Sequence, residues 1–306
     1  MVTDPLRRLI DRPWRDVALP ADAVGIPTML SKAERRLLYT LAREFATGEG
    51  AIVDAGCFLG GSSAALLAGV RDRSVPWSGP PIASYDLFRV EAFTIPKFFA
   101  RDRVDVGESF RPRYDAHVAR FDVPHLVHEG DITETGWSGG AIDVLFLDVL
   151  KSWEINDAVL RDFFPSLVPG RSVIVHQDYG WGDTPWIPIT VELMRDSLVL
   201  VDWMEWGSHV FFVERELPHD VLANGVGGLD LGAKIELIDR AVARAEGWVQ
   251  GMLEVSRAFL IAERDGLDAA LAELRSVAER HPGHGFVLAC IDDVRPQIAA
   301  GVLAAR

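Results

Sequence analysis

The sequence predicts an α/β fold in which a parallel sheet is covered by helices on both faces. Short apolar runs that suit buried strands alternate with amphipathic stretches that suit helices up to about residue 214. Several of these runs end in an acidic residue, and the first is followed by a glycine-rich loop and a helical stretch. Strands that are apolar on both faces and separated by helices are typical of a doubly wound parallel sheet.

The composition indicates a folded globular protein. The chain has 306 residues, of which 49% are hydrophobic, and its formal net charge is −14. Such an acidic balance disfavours sequence-independent binding of nucleic acid or of anionic lipid. We therefore expect a small-molecule or protein partner, with no nucleic acid and no membrane.

Targeting and cysteine signals are weak. The first residues lack the apolar core of a secretory signal, and no stretch approaches the roughly 18 apolar residues that a membrane helix requires. The two cysteines, Cys57 and Cys290, suit neither a disulfide scaffold nor a metal-binding pair. These features predict a cytoplasmic protein with buried thiols.

The N-terminal elements are predicted in chain order. Residues 1–30 indicate an arm that lies on the main domain. An amphipathic helix is predicted from Ser31 to Ala46, with Ser31 as N-cap and Glu34 completing a capping box. The apolar run 51–54 then predicts a strand, followed by a glycine loop and a helix in the segment SSAALLAGV.

Further strands are predicted after this first unit of strand, loop and helix. They are Ile82–Asp86, Leu126–His128, Ile142–Leu147, Val173–Val175, Leu198–Trp203 and His209–Glu214. Helical stretches separate them, near 93–100, over 158–167 and near 189–197. The last two strands are close enough in sequence to pair antiparallel, which predicts a seven-stranded, mostly parallel sheet.

The composition changes near Gly225, where apolar residues take helical spacing. The last part of this pattern, Leu267–Arg280, ends at the sequence His281-Pro282-Gly283. We therefore predict three segments, namely the arm 1–30, a main domain 31–220 and a helical C-terminal extension 221–306. Whether the extension is a small domain, a lid or an interface between subunits is left open, as is homo-oligomerisation.

Acidic residues gather at the predicted carboxyl ends of the strands, where open α/β sheets bind their ligands. They are Asp54, Asp86, Asp131, Asp148 and Asp178. Any one of them could be an ordinary helix-capping or solvated acid, but the set points to a functional edge of the sheet.

The glycine loop after the first strand is the most specific single feature. Its sequence, DAGCFLGGS, allows close approach of the backbone to a ligand and presents the amides of a helix start. The dinucleotide fingerprint would require glycine where Phe58 stands, and no phosphate-binding GxxxxGK[ST] sequence is present. Binding of NAD or of a P-loop nucleotide is therefore disfavoured.

The segment VDAGCFLGGSS resembles the first motif of the class I S-adenosylmethionine-dependent methyltransferases. Within that superfamily the chain is most similar to the macrocin O-methyltransferase family, through the sequences GGSS, YDLF, EGDITET and QDYGWG. The resemblance covers about residues 50–214. It implies a Rossmann-like fold and S-adenosylmethionine as cofactor.

The resemblance also implies a set of cofactor-binding residues. They are Asp54, Gly56, Gly60, Gly61, Ser62, Asp86, Asp131 and Ile132. The glycines and Ser62 would line the methionine end, with Asp54 fixing the loop, and Asp86 would accept the ribose hydroxyls. Asp131 and Ile132 would face the adenine, although Asp131 could instead be a turn residue after Gly130.

The implied reaction centre follows the fourth and fifth strands. The pattern Asp148-x-x-Lys151 is similar to that of catechol O-methyltransferase-like enzymes, which implies Mg²⁺ held by Asp148, Gln177 and Asp178, with Lys151 or His176 as base. The chain departs from the macrocin-like pattern in having Leu150 and Gln177 where that family has acids. These departures reduce the negative charge available to a metal.

The expected activity is methylation of a hydroxyl on a small molecule or sugar. Tryptophans near the same edge could form a stacking wall for such an acceptor, or could simply belong to the core; they are Trp153, Trp181, Trp186, Trp203 and Trp206. The alternatives are a metal-independent methyltransferase, a catalytically inactive scaffold whose C-terminal helices bind a partner and, more remotely, a dehydrogenase.

Overall fold

The structure is a computed structural model that describes residues 4–204 and 207–301. Its strands form one sheet in the order β3-β2-β1-β4-β5-β7-β6. The strands are β1 Ala51–Ala55, β2 Ile82–Asp86, β3 His125–Glu129, β4 Ile142–Leu147, β5 Val173–His176, β6 Leu198–Trp203 and β7 His209–Val213. The parallel strands and the antiparallel final strand confirm the predicted fold class.

Helices flank the sheet and continue beyond it. They are α1 Asp4–Ile10, α2 Ala21–Val24, α3 Lys32–Thr40, α4 Gly61–Arg71, α5 Arg111–Val118, α6 Ile132–Thr135, α7 Trp153–Asp162, α8 Trp186–Leu193, α9 His219–Asn224, α10 Leu231–Arg244, α11 Gly247–Asp265, α12 Leu267–Arg280 and α13 Gly285–Ala299. Short 3₁₀ turns cover 13–16, 92–94 and 164–166, and π-helical turns cover 41–45 and 95–99. None of the helices in the described ranges is both long and apolar enough to cross a membrane.

The parallel register brings the carboxyl ends of neighbouring strands level. Asp54 of β1 lies opposite Ser84 of β2, and Asp86 at the end of β2 lies opposite Glu129 of β3. On the other side of β1, Ala55 pairs with Leu147, so that Asp148 follows at the same edge. The register therefore places the predicted acids of these strands along one edge.

The contacts divide the chain into two compact units. The first unit comprises 1–149, 166–175 and 210–213, and the second comprises 150–165, 176–209 and 214–306. These two units are not the three segments predicted from the sequence, and the division into 1–30, 31–220 and 221–306 stays a prediction.

The N-terminal part of the first unit contains helices that the sequence did not predict. Helix α1 and the 3₁₀ turn after it bury Leu6, Leu9 and Trp14. At the start of α3, the capping box is confirmed: Ser31 Oγ accepts from the Glu34 amide at 3.2 Å, and Glu34 Oε2 accepts from the Ser31 amide at 2.7 Å.

In the second unit, helices α11, α12 and α13 share an apolar core of their own. Its members include Met252, Phe259, Leu274, Val287 and Ile291. Helix α12 ends at Arg280, where the sequence places its stop signal. The helical nature of the C-terminal extension is thereby confirmed.

Both cysteines are buried free thiols. Burial raises the pKa of Cys57 well above its usual value and raises the pKa of Cys290 to about 12. Both side chains therefore remain protonated at neutral pH.

We predict that Gly69→Ala destabilises the first unit. A Cβ at Gly69 would lie 2.4 Å from the Tyr39 carbonyl oxygen and 2.9 Å from Ala42 Cβ, so α4 could no longer approach α3 as closely. We expect the free energy of unfolding to fall by about 1–3 kcal/mol, despite the better helix propensity of alanine. Urea unfolding followed by circular dichroism measures the change.

The matched control is Gly285→Ala in the first turn of α13. A Cβ there meets no atom within 4 Å, so the substitution should leave stability unchanged or slightly higher. Equal stability of the Gly69→Ala variant and the wild type would contradict the role assigned to this glycine.

Candidate functional site

The glycine loop joins β1 to α4 with two glycines in left-handed backbone conformations. Gly56 has φ +92° and Gly60 has φ +95°. A Cβ at Gly56 would lie 2.4 Å from the Asp148 carbonyl oxygen, and a Cβ at Gly61 would lie 2.3 Å from Thr28 Cβ. Conformation and close packing together therefore require glycine at these positions.

Asp54 is fully buried beneath this loop. Its Oδ2 accepts hydrogen bonds from Ser62 Oγ at 3.1 Å and from Ser63 Oγ at 2.5 Å, both at the start of α4. Burial raises the pKa of Asp54 to about 6, and the serine hydroxyls oppose that rise. The predicted role of Asp54 in fixing the loop agrees with these contacts.

Asp86 connects the end of β2 to the same loop. Its Oδ2 accepts from the Phe58 amide at 2.8 Å, and its Oδ1 accepts from the Phe88 amide at 2.7 Å. Burial raises the pKa of Asp86, and these two amide contacts oppose the rise. Each carboxylate oxygen has a second lone pair, so the group retains acceptor capacity for a ligand.

Phe58 adopts a conformation that is rare for a residue with a side chain. Its φ is +46°, in the left-handed region where a dinucleotide-binding loop would use glycine. Its ring packs edge-on against Phe98 and Phe110, with centroids 5.0 and 5.3 Å away. This aromatic packing, together with the hydrogen bond from the Phe58 amide to Asp86, stabilises the strained backbone of Phe58.

Asp131 and Ile132 follow β3. Asp131 Oδ1 accepts from the Thr133 amide at 2.8 Å and caps α6, while the residue itself is exposed. Ile132 is buried. The capping contact agrees with the interpretation of Asp131 as a turn residue after Gly130. Its contact with adenine stays a prediction.

Lys151 and Asp178, both in the second unit, form an ion pair. Lys151 Nζ donates to Asp178 Oδ2; the lysine side chain is 55% exposed and the aspartate side chain 12% exposed. Asp148, in contrast, belongs to the first unit, where its amide donates to the Ala55 carbonyl at 2.8 Å. The structure therefore joins two of the predicted reaction-centre residues directly.

His176 is a fully buried side chain at the end of β5. Burial lowers its pKa to about 3, with a smaller contribution from His209, whose own pKa burial lowers to about 4. A neutral imidazole with so low a pKa is a weak proton acceptor. Lys151 is therefore the more accessible of the two predicted bases.

The predicted metal ligands comprise two carboxylates and one amide. One of these carboxylates, that of Asp178, already binds the Lys151 ammonium. Among residues 4–204 and 207–301, no group of three or more His, Cys, Asp or Glu side chains could hold a metal ion. Mg²⁺ takes oxygen ligands and usually keeps several waters. A magnesium site at Asp148, Gln177 and Asp178 therefore stays a prediction.

The tryptophans of the predicted wall separate into different environments. Trp186 is fully buried and donates from Nε1 to the Leu150 carbonyl at 2.8 Å, and Trp153 packs edge-on against it at 5.5 Å. Trp203 is 47% exposed and packs against Trp248 of α11 at 5.9 Å. Trp206 lies outside the described residues.

Sequence reasoning missed several polar residues around Asp54. Ser63, Ser84, Tyr114 and His125 are linked by hydrogen bonds of 2.9–3.3 Å. They come from α4, β2, α5 and β3, far apart in the sequence. Only the serines after the glycine loop gave any signal, as part of the GGSS sequence.

No family model matches the chain, and no curated protein matches it. Among solved structures, it is similar to a TDP-rhamnose 3'-O-methyltransferase of calicheamicin biosynthesis, with 18% identity, a TM-score of 0.43, and coverage of 68% of this chain and 93% of that chain. It is also similar to an O-methyltransferase from Bacillus cereus in complex with SAH, with 16% identity, a TM-score of 0.39, and coverage of 69% and 90%.

A third similar structure is an SAH-bound methyltransferase from Podospora anserina, with 16% identity, a TM-score of 0.39, and coverage of 69% of this chain and 88% of that chain. Likeness at this level concerns the path of the backbone. The chemistry of this chain has to follow from its own side chains.

We predict that the neutral, buried His176 makes the protein sensitive to acid. Its pKa is about 3 in the folded state and 6.5 in the unfolded state, so the unfolded state binds more protons between these values. The stabilising contribution is present above pH 6.5 and decreases as the pH falls toward 3. Urea unfolding of the wild type between pH 7 and 5 should show the decrease.

In His176→Leu, the fall in stability over this pH range should be smaller than in the wild type, whatever the change at pH 7. The exposed His219 provides the matched control, and His219→Leu should keep the wild-type pH dependence. The same pH dependence in all three proteins would show that His176 does not titrate in this way.

Proposed function

We propose that this chain is an S-adenosylmethionine-dependent O-methyltransferase acting on a hydroxyl of a small molecule or sugar. The observation that carries the proposal is the glycine loop held between two carboxylates, the buried Asp54 beneath it and the half-buried Asp86 beside it. The loop has the sequence pattern of the class I methyltransferases. It also lies at the carboxyl edge of the sheet, where this class of fold binds its ligands.

In the proposed complex, Gly56, Gly60, Gly61 and Ser62 line the methionine end of the cofactor. The left-handed backbone of Gly56 and Gly60 forms the turn between β1 and α4, and the helix start that follows presents backbone amides suited to an anionic group such as the cofactor carboxylate. The remaining lone pairs of Asp86 accept the ribose hydroxyls. Asp131 and Ile132 face the adenine.

The proposed reaction transfers the methyl group from the sulfonium to the acceptor oxygen. The carbon–sulfur bond breaks and its electron pair remains on sulfur, while a carbon–oxygen bond forms. The hydroxyl proton leaves to a base, for which we propose Lys151. Its ammonium, which pairs with Asp178, first loses a proton to solvent, and the neutral amine then accepts the hydroxyl proton and returns to the ion pair. Alignment of the two substrates supplies much of the remaining rate enhancement.

The resemblance implies magnesium assistance by Asp148, Gln177 and Asp178, which offer oxygen donors of the kind that Mg²⁺ takes. Lys151 already occupies one oxygen of Asp178, so a metal-independent reaction is the alternative. His176 as an alternative base, a cytoplasmic location and homo-oligomerisation stay predictions.

We predict that Asp86→Asn weakens the binding of S-adenosylhomocysteine at least about tenfold. The substitution replaces one acceptor oxygen with an NH₂ group, which donates and cannot accept. The substituted side chain then cannot accept from both the Phe58 and the Phe88 amide, and it has fewer lone pairs left for the ribose hydroxyls. Isothermal titration calorimetry of S-adenosylhomocysteine at pH 7.5 measures the change.

Glu129→Gln is the control, because Glu129 lies level with Asp86 on the neighbouring strand but is exposed. Its affinity should match that of the wild type. If the wild type does not bind S-adenosylmethionine or S-adenosylhomocysteine at all, the proposed function is wrong and a scaffold role becomes the better explanation.

We predict that Lys151→Met lowers kcat by about 100-fold or more while the affinity for S-adenosylmethionine stays within about twofold. Lys97→Met, which changes an exposed lysine of the first unit, should retain wild-type turnover. The assay measures S-adenosylhomocysteine release over a panel of sugars and small alcohols.

The same assay with EDTA tests the metal question. Turnover that is unchanged by the chelator supports the metal-independent reaction. Turnover that is lost with EDTA and restored by Mg²⁺ would instead establish the magnesium assistance that the resemblance implies.

A further inference from the structure

A continuous chain of hydrogen bonds leads from Asp54 to the partly buried His125. Ser63 Oγ lies 2.5 Å from Asp54 Oδ2 and 2.9 Å from the Tyr114 hydroxyl. That hydroxyl lies 3.1 Å from His125 Nε2, which is also 3.0 Å from Ser84 Oγ. All of these groups belong to the first unit.

We assign the protons of this chain so that every donor points toward Asp54. Burial raises the pKa of Tyr114 well above its usual value and lowers the pKa of His125 to about 4, so both groups are uncharged near neutral pH. With its proton on Nε2, His125 donates to Tyr114, Tyr114 donates to Ser63, and Ser63 donates to Asp54. Successive donors oriented in one direction polarise each other and strengthen the last bond to the carboxylate.

Asp54 depends strongly on these donors because its carboxylate is fully buried. Within the described part of the chain, Oδ1 of Asp54 has no hydrogen-bond partner, while Oδ2 receives Ser62, Ser63 and, at 3.5 Å, Ser84. A buried carboxylate with one bare oxygen remains ionised only if its other oxygen is well solvated by donors.

We propose that Tyr114 and His125 are positioning residues for the cofactor site, which keep Asp54 ionised and hold Ser63 at the start of α4. This inference rests on the proposed function, in which Asp54 belongs to the methionine end of the site. The methionine end of S-adenosylmethionine carries an ammonium and a sulfonium. The ionised form of Asp54 therefore favours binding, and the protonated form weakens it.

The other titratable groups around Asp54 can be distinguished from it. Beyond the effect of burial, the charge of Asp86 in β2 raises the pKa of Asp54, and both carboxylates raise the pKa of the Cys57 thiol in the loop. In α5, Arg111 also lowers the pKa of His125 and Asp115 raises it. Asp86 receives the Phe58 and Phe88 amides rather than the Tyr114 chain. A variant of Tyr114 therefore changes the titration of Asp54 and leaves that of Asp86 in place.

The test is the pH dependence of S-adenosylhomocysteine affinity, measured by calorimetry from pH 5 to 8 on the full chain. For the wild type, affinity should be constant above a break near pH 6, the pKa of Asp54, and should fall below it. In Tyr114→Phe, the break should move upward by roughly 0.5 to 1 pH unit, because the ionised carboxylate loses support from its donor chain. His125→Phe should move it in the same direction.

Tyr85→Phe is the matched control. Tyr85 lies in β2, and its hydroxyl donates to the Gly136 carbonyl, which is not part of the hydrogen-bond chain from Asp54 to His125. Removing this hydroxyl should leave the break at the wild-type pH. Circular dichroism establishes whether each variant folds, and His125→Phe provides a second variant if Tyr114→Phe does not.

Two outcomes would overturn the proposal. The first is a uniform loss of affinity in Tyr114→Phe at every pH, as expected of a merely structural residue. The second is a wild-type affinity with no break between pH 5 and 8. Failure of the wild type to bind at any pH would instead refute the proposed function on which this inference rests.

Discussion

The buried carboxylate of Asp54 is the constraint around which the first unit is built. A charge in this position requires donors, and they come from the two elements that adjoin β1: the Ser62 and Ser63 hydroxyls of α4 and, more distantly, Ser84 of β2. These hydroxyls tie the start of α4 to β1, and the parallel pairing of β1 with β2 brings Ser84 level with Asp54. The glycine loop has to span the short distance that remains.

The second carboxylate, Asp86, explains how a loop with phenylalanine at a position suited to glycine remains closed. Left-handed backbone costs of order 1 kcal/mol for such a residue. Phe58 is held by its amide bond to Asp86 and by the aromatic rings around its side chain. The same residue that departs from the dinucleotide pattern thus contributes to an aromatic cluster in which Phe58, Phe98 and Phe110 pack together.

The sequence predicted strand positions and the acids that end them, because apolar runs and strand-ending acids are local patterns. It did not predict the Asp54 hydrogen-bond chain, since Tyr114 and His125 join it only through the sheet register and the packing of α5. It also could not show that Asp178 binds Lys151, or that His176 is buried with a low pKa. Helix α1 was missed because its short apolar pattern is interrupted by Arg7 and Arg8.

Both native thiols are buried and stay protonated near neutral pH, so thiolate-selective reagents find no ready target in the folded protein. A cysteine introduced at an exposed position would consequently be labelled selectively without removing the native ones. Spectroscopic probes placed one at a time in each unit would then allow the two units to be followed separately in solution. The natural chain is in this respect a ready background for site-specific labelling.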